Sequence, residues 1–128
     1  MPKNNAMHPP QDLPERGFYY HYKHDPAGPL NNYAYEVLGT GCATEMDWRD
    51  PDAYMVIYRP LYGESPAYQA GKLWFLRPAS MFMGDVPANG DAPPVPRFHK
   101  ICNPEIIAEL AAAKERMYGK GNGGGVVS

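Results

Sequence analysis

The stretch GFYYHYKH, residues 17 to 24, gathers four aromatics, two histidines and a lysine into eight positions. A histidine in such company suits general acid–base chemistry when a carboxylate orients its ring. The same residues also suit stacking and hydrogen bonding to a bound partner. Thiol chemistry would need a histidine beside Cys42 or Cys102, which stand 60 positions apart with no CxxC and no nucleophile signature around either. A metal would need His21, His24, His99 and Cys42 delivered to one point by the fold, since HxH, HxxxH and CxxC are all missing. The acidic run EMDWRDPD (45 to 52) lacks the glycine hinge and terminal glutamate of a calcium loop. GNGGG (121 to 125) follows no strand and opens no helix, so it is no phosphate loop. The reading is therefore no metal, no cofactor and no complete catalytic constellation.

Period-2 alternation places Phe18, Tyr20, Tyr22 and His24 on one face of a strand and Tyr19, His21 and Lys23 on the other. The first set reads as core. The second reads as an exposed face, either plainly solvated or a recognition surface, and the solvated reading carries more weight because half-exposed strands routinely look this way. Four further apolar runs follow: AYEVLG (34 to 39), AYMVIYRPLY (53 to 62), KLWFLRP (72 to 78) and VPRFHKI (95 to 101). Turn chemistry rich in Gly, Pro, Asp and Asn separates them. About five such strands predict a mainly β fold, a small and strongly bent sheet or barrel. In the third run Tyr54, Val56, Tyr58 and Tyr62 share one side, while Met55, Ile57, Arg59 and Leu61 share the other. Both sides are largely apolar, so this strand is central and covered twice. Pro60 marks a bend near its end.

The cover is legible in NPEIIAELAAAKERMYG, residues 103 to 119: Asn103 at the N-cap, Pro104 next, Glu105 in the first turn, Lys114 and Arg116 late, Gly119 after the end. Ile106, Leu110, Ala113 and Met117 form its apolar stripe, predicted to pack on the sheet. The organisation is thus a flexible Pro-rich arm (1 to 16), a β domain (17 to 102), a C-terminal helix (103 to 118) and a flexible Gly-rich tail (119 to 128). A chain of 128 residues holds one core of this kind. The net charge of −2, with eight Lys/Arg against ten Asp/Glu over residues 15 to 102, counts against a nucleic-acid partner. No apolar run approaches the ~20 residues of a membrane span. With no secretory leader pattern and two unpaired cysteines, the expected location is cytoplasmic.

Four motifs in order, YxHYK (Tyr19 to Lys23), YEVLG (35 to 39), VIYRPLYG (56 to 63) and RPxxMF (Arg77 to Phe82), with VPRF at 95 to 98, resemble the signature of domain of unknown function family 1653 (DUF1653). The resemblance runs over about residues 17 to 101. It implies a compact barrel of the Src-homology-3-like (SH3-like) class of about five strands, with the C-terminal helix and both ends lying outside it. It implies no activity. It marks His21, Tyr22, Lys23, Glu45, Tyr58, Tyr62, Arg77 and Met81 as a recurrent set, with Glu45 accepting from Lys23 or Arg77 as a structural network or as part of a ligand pocket. This chain departs from the pattern at Tyr20, where the family carries arginine, and at Ala43, where it carries histidine.

The expected function is that of a non-enzymatic binding or adaptor module with an aromatic and basic groove built from Tyr19, His21, Lys23, Glu45, Trp74 and Arg77, taking a protein, peptide or small-molecule ligand. The alternatives are a small hydrolase or transferase using the His21/Glu45 pair, and a single-stranded nucleic-acid binder that stacks bases on tyrosine. Residue types and spacing set no oligomeric state.

Overall fold

The computed structural model describes residues 12–87 and 90–119. The flexible arm expected up to residue 11 and the tail expected from residue 120 lie outside the described residues. Among these residues are seven strands, β1 (Gly17–His21), β2 (Ala34–Cys42), β3 (Tyr54–Pro60), β4 (Phe75–Pro78), β5 (Asp85–Val86), β6 (Val95–Pro96) and β7 (Phe98–Lys100), with four-residue helices α1 (Pro66–Gln69) after β3 and α2 (Ala79–Phe82) after β4, and α3 (Pro104–Tyr118) after β7. Five strands form one antiparallel sheet in the order β4-β3-β2-β1-β7, and β5 pairs with β6 in a separate ladder. The fifth apolar run is therefore split, with its first residues in the small ladder and the rest at the sheet edge.

The expected closed barrel is not formed. β4 and β7 are the two edges of the large sheet, and among the described residues no ladder joins them. The sheet still turns sharply. An extra residue interrupts the β2–β3 register between Val37 and Gly39, and such bulges increase local twist. As a result the Tyr58 ring, on β3, comes within 5.5 Å of the Phe98 ring on β7, at the opposite edge.

Each face of the sheet carries its own core. On the concave face Tyr19, Tyr35, Val37, Val56, Tyr58 and Phe98 pack with Ala79 and Phe82 of α2, and the Phe82 ring stacks on Phe98 at 4.1 Å. Residues just before β1 close this face. Leu13 packs against the cluster, the Tyr19 hydroxyl donates to the Glu15 carbonyl at 2.8 Å, and Lys100 Nζ reaches Glu15 at 2.7 Å. The last residues assigned to the arm are thus docked. Gly17, which opens β1, has φ +146°, and a Cβ there would sit 3.1 Å from Lys100 Cε; glycine meets both demands.

On the convex face Tyr20, Ala34, Leu61 and Ile101 receive α3 through Leu110, with Ile106, Ile107 and Tyr118 at the margin. The helix starts as its residues dictate: the Asn103 side chain accepts from the Glu105 and Ile106 amides at 2.8 and 3.3 Å, a cap worth about 1 kcal/mol. It stops at Gly119, φ 89°, a conformation that side chains resist. Of the predicted stripe, Leu110 and Ala113 are buried, Ile106 and Met117 half-buried.

An ionic network ties α3 to the strands. Glu36 on β2 lies directly opposite Arg59 on β3, and both are buried. Arg59 Nε donates to Glu36 Oε1 at 3.0 Å, and Lys114 Nζ of α3 reaches Oε2 at 2.9 Å. The Arg59 guanidinium lies 3.8 Å from the centre of the Tyr118 ring, and the Tyr118 hydroxyl donates to the Pro60 carbonyl at 2.6 Å. Two buried charges in one place require such mutual partnering. The carboxylate expected to organise a network was Glu45; the one that does so is Glu36.

Candidate functional site

The loop DPAGPLNN sets the geometry of the site through Asn32. Its side-chain amide donates to the Asp25 carbonyl at 2.9 Å and its side-chain oxygen accepts from the Asp25 amide at 2.9 Å. Its backbone carbonyl accepts from His24 Nδ1 at 2.7 Å, and the His24 ring stacks on Tyr20 at 3.6 Å. Asn31 donates to the Leu61 carbonyl at 2.8 Å, pinning the loop to the end of β3. Held between these anchors, Tyr33 takes φ +53°, left-handed backbone that costs a non-glycine residue about 1–2 kcal/mol. The strained residue delivers its ring to one end of the concave face, 5.7 Å from both His21 and Tyr62.

Around that ring the sheet assembles a bowl of phenols. The Tyr35 and Tyr62 hydroxyls are hydrogen-bonded at 2.6 Å, and the Tyr35 and Tyr58 rings meet edge to face at 5.6 Å. Arg77 Nε, from edge strand β4, donates to the Tyr58 hydroxyl at 3.1 Å. His21 ends β1 and touches Tyr22 (4.5 Å), Tyr33 and Phe98 (5.1 Å). A cavity of about 460 Å³ opens beside this wall, lined by Pro29, Asn32, Tyr33, Tyr62, Glu64 and Pro66, a volume in the range of small-ligand sites.

Electrostatics fix the protonation of the bowl. Burial, then the positive charges of Lys23, Arg97 and Arg77, pushes His21 down to about 4, so its ring is neutral near pH 7. The Lys23 amide donates to His21 Nδ1 at 3.2 Å, which leaves the ring proton on Nε2. Burial and the hydrogen bond to Tyr62 hold Tyr35 far above the ordinary phenol range, and burial raises Tyr62 as well. The bowl offers neutral hydrogen-bonding groups on aromatic walls, with cations at its rim.

Of the six residues singled out in the sequence, the structure brings His21, Lys23 and Arg77 to this end. Tyr19 shares their face, but that face is the concave core rather than solvent, so Tyr19 is buried. Alternation identifies which residues share a face, and residues 12–16, α2 and β7 decide that it is covered. Trp74 is 59% exposed just before β4, beside exposed Leu73 and Leu76. Glu45 is exposed in the turn beyond β2, and among the described residues it makes no ion pair with Lys23 or Arg77. The His21 amide donates to the Tyr33 carbonyl at the start of β2, whereas Glu45 follows its far end. The nine residues of that strand separate them, and among the described residues no hydrogen bond or ion pair joins Glu45 to His21.

Sequence reasoning passed over Tyr33, Tyr35 and Arg97. The alternation NNYAYEV carries a partial signal, since it aims Tyr33 and Tyr35 to one side. Nothing local announces Arg97, whose place depends on the small β5–β6 ladder and on its carbonyl accepting from the Tyr22 amide at 2.8 Å.

Among the described residues, no helix is long and apolar enough to cross a membrane. No curated protein and no solved structure matches the chain. Residues 17–100, more than half of its length, match the family described as Protein of unknown function (DUF1653). The motifs in that span are those that build the sheet and its bowl, and the chain belongs to the DUF1653 family.

Proposed function

We propose that this protein is a non-enzymatic binding module whose recognition surface is the tyrosine bowl around His21, Tyr33 and Tyr62. The observation that carries the reading is Tyr33. A non-glycine residue held at φ +53°, its ring forming the shared wall of the bowl and the neighbouring cavity, places strain where recognition needs a fixed aromatic surface. Within the bowl His21 is neutral and among the described residues faces no carboxylate partner, so its chemistry is that of a hydrogen-bonding surface. The groove differs in membership from the one read from the sequence. It keeps His21, Lys23 and Arg77, and replaces Tyr19, Glu45 and Trp74 with Tyr33, Tyr35 and Tyr62. A small molecule or the side chain of a peptide is the class of partner that fits about 460 Å³. Cys42 and Cys102, both free thiols, support a reducing compartment as the working location.

A thermal-shift panel of small aromatic compounds and short peptides tests this on the wild type and on Tyr33→Gly, which keeps the backbone conformation and removes the wall. A ligand present at a hundred times its Kd stabilises by about 2.7 kcal/mol, roughly 10 °C for a domain of this size. Compounds that stabilise the wild type should lose that effect on the variant. Equal stabilisation of both proteins would sink the assignment.

A further inference from the structure

Resting on the binding-module reading above, we propose that the cavity beside the bowl takes an alkylammonium group, with the Tyr33 and Tyr62 rings as its aromatic wall and the Glu64 carboxylate as its counter-charge. The first observation is the wall. Both rings line the cavity of about 460 Å³, their centres 5.7 Å apart and their planes inclined at 42°. Aromatic rings carry negative charge on their faces, so a cation set against two of them gains what an uncharged body of the same shape does not. The backbone conformation of Tyr33, φ +53°, fixes one half of this wall.

The second observation is the distribution of charge. Among the described residues that line the cavity, Glu64 is the charged one, and no lysine, arginine or histidine joins it. Glu15, Glu36 and Asp47 each hold a cation, whereas Glu64 makes no ion pair among the described residues. It lies close enough to Tyr62 to disfavour a charge on that phenol, so the carboxylate and the ring belong to one site. Lys23, Arg77 and Arg97, the cations that act on His21, are absent from the lining.

The third observation is a surplus of acceptors in the lining. The Asn32 side-chain amide donates to the Asp25 and Pro29 carbonyls, so its protons are in use. Asn31, which also lines the cavity, donates through Nδ2 to the Leu61 carbonyl, while its Oδ1 accepts from no group among the described residues. Pro29 and Pro66 have no amide proton and bring apolar ring surface that suits an alkyl stem. A primary ammonium donates without accepting, and Asn31 Oδ1 and the Glu64 carboxylate are acceptors that the fold leaves unused. A quaternary ammonium draws on the aromatic wall and the charge alone.

The experiment titrates the full chain with choline, butylammonium, Nα-acetyl-lysine methylamide and dimethylbutanol, the uncharged carbon isostere of choline, following backbone amides by NMR. A cation against an aromatic face gains from about twofold at an exposed ring to about thirtyfold at a dry one. With Tyr33 exposed and Tyr62 half-buried, choline should bind about fivefold more tightly than dimethylbutanol and shift the Asn31, Tyr33, Tyr62 and Glu64 amides. Choline against butylammonium tells a quaternary head from a primary one, and a tighter lysine derivative tells a peptide side chain from a free amine. Glu64→Gln, an exposed change that keeps the shape, should weaken the ammonium probes about threefold and leave dimethylbutanol unchanged. Unchanged ammonium binding by that variant overturns the counter-charge. Dimethylbutanol binding as tightly as choline at the same residues overturns the cation while leaving the binding module intact. Silent ammonium probes, with aromatic fragments still shifting Tyr33 and Tyr62, overturn the ligand class alone. Silence from every probe and fragment removes both.

Discussion

Replacing Glu36 by leucine removes the one carboxylate that holds α3 to the sheet. Arg59 is left with its guanidinium enclosed, its side chain 8% exposed, and no anion beside it. Lys114, 29% exposed, can turn to water, so the penalty falls on Arg59. Breaking a buried pair from one side costs about 3–5 kcal/mol, a fifth or more of the ~5–15 kcal/mol that holds a typical domain together. Near the melting point this corresponds to a fall of roughly 10–20 °C. The companion variant Glu36→Leu/Arg59→Met removes both charges. It loses the stacking of Arg59 on Tyr118, about 0.5–2 kcal/mol, and regains the desolvation cost of two ions. It should therefore lie nearer to wild type than Glu36→Leu does. Urea unfolding followed by circular dichroism measures all the variants, with Arg59→Met completing the cycle. If Glu36→Leu costs less than ~1 kcal/mol, or the double variant loses the full sum of the singles, the network does not anchor the helix as described.

Three further outcomes follow from the same geometry. His21 titrates near 6.5 when unfolded and near 4 when folded, so its contribution is complete above the unfolded value and is lost as pH falls from about 6.5 to 4. With the ring only half-buried, that loss is about 1–2 kcal/mol, and His21→Phe should flatten the stability profile across this window. At position 33, glycine should be more stable than alanine by about 1 kcal/mol, because both remove the ring and only glycine relaxes at φ +53°; chemical denaturation of the two variants decides it. Leu110→Ala opens a hole beneath a fully buried helix residue and should cost about 2–5 kcal/mol in the same assay.

The helix was legible because its signals are local: an Asn-Pro start, a 3–4 apolar rhythm and a glycine stop. The interior strand β3 was legible because Tyr54–Leu61 is largely apolar on both faces and needs two covers. What could not be read were facts settled far along the chain. Whether the Tyr19 face is wet depends on Leu13, Glu15 and Phe82, none of which belongs to a periodic pattern. Whether the sheet closes depends on a ladder between β4 and β7, and no local feature of either strand sets that pairing. Glu36 carries no signal of its own in AYEVLG because its partner Lys114 lies on a helix whose docking only the fold supplies. The site was half legible for the same reason: His21, Lys23 and Arg77 announce themselves by type, whereas Tyr33 enters through a backbone angle imposed by Asn31 and Asn32.

The recognition role of the bowl is tested most directly by mapping an unbiased set of small aromatic fragments onto the backbone amides of the full chain by NMR. The molecule offers a fair competitor, an open apolar cleft of about 630 Å³ along α3 lined by Leu30, Ile106 and Ala112 among others. The account predicts that the hits gather on His21, Asn32, Tyr33 and Tyr62. Hits gathering along α3 while these four stay silent would contradict it.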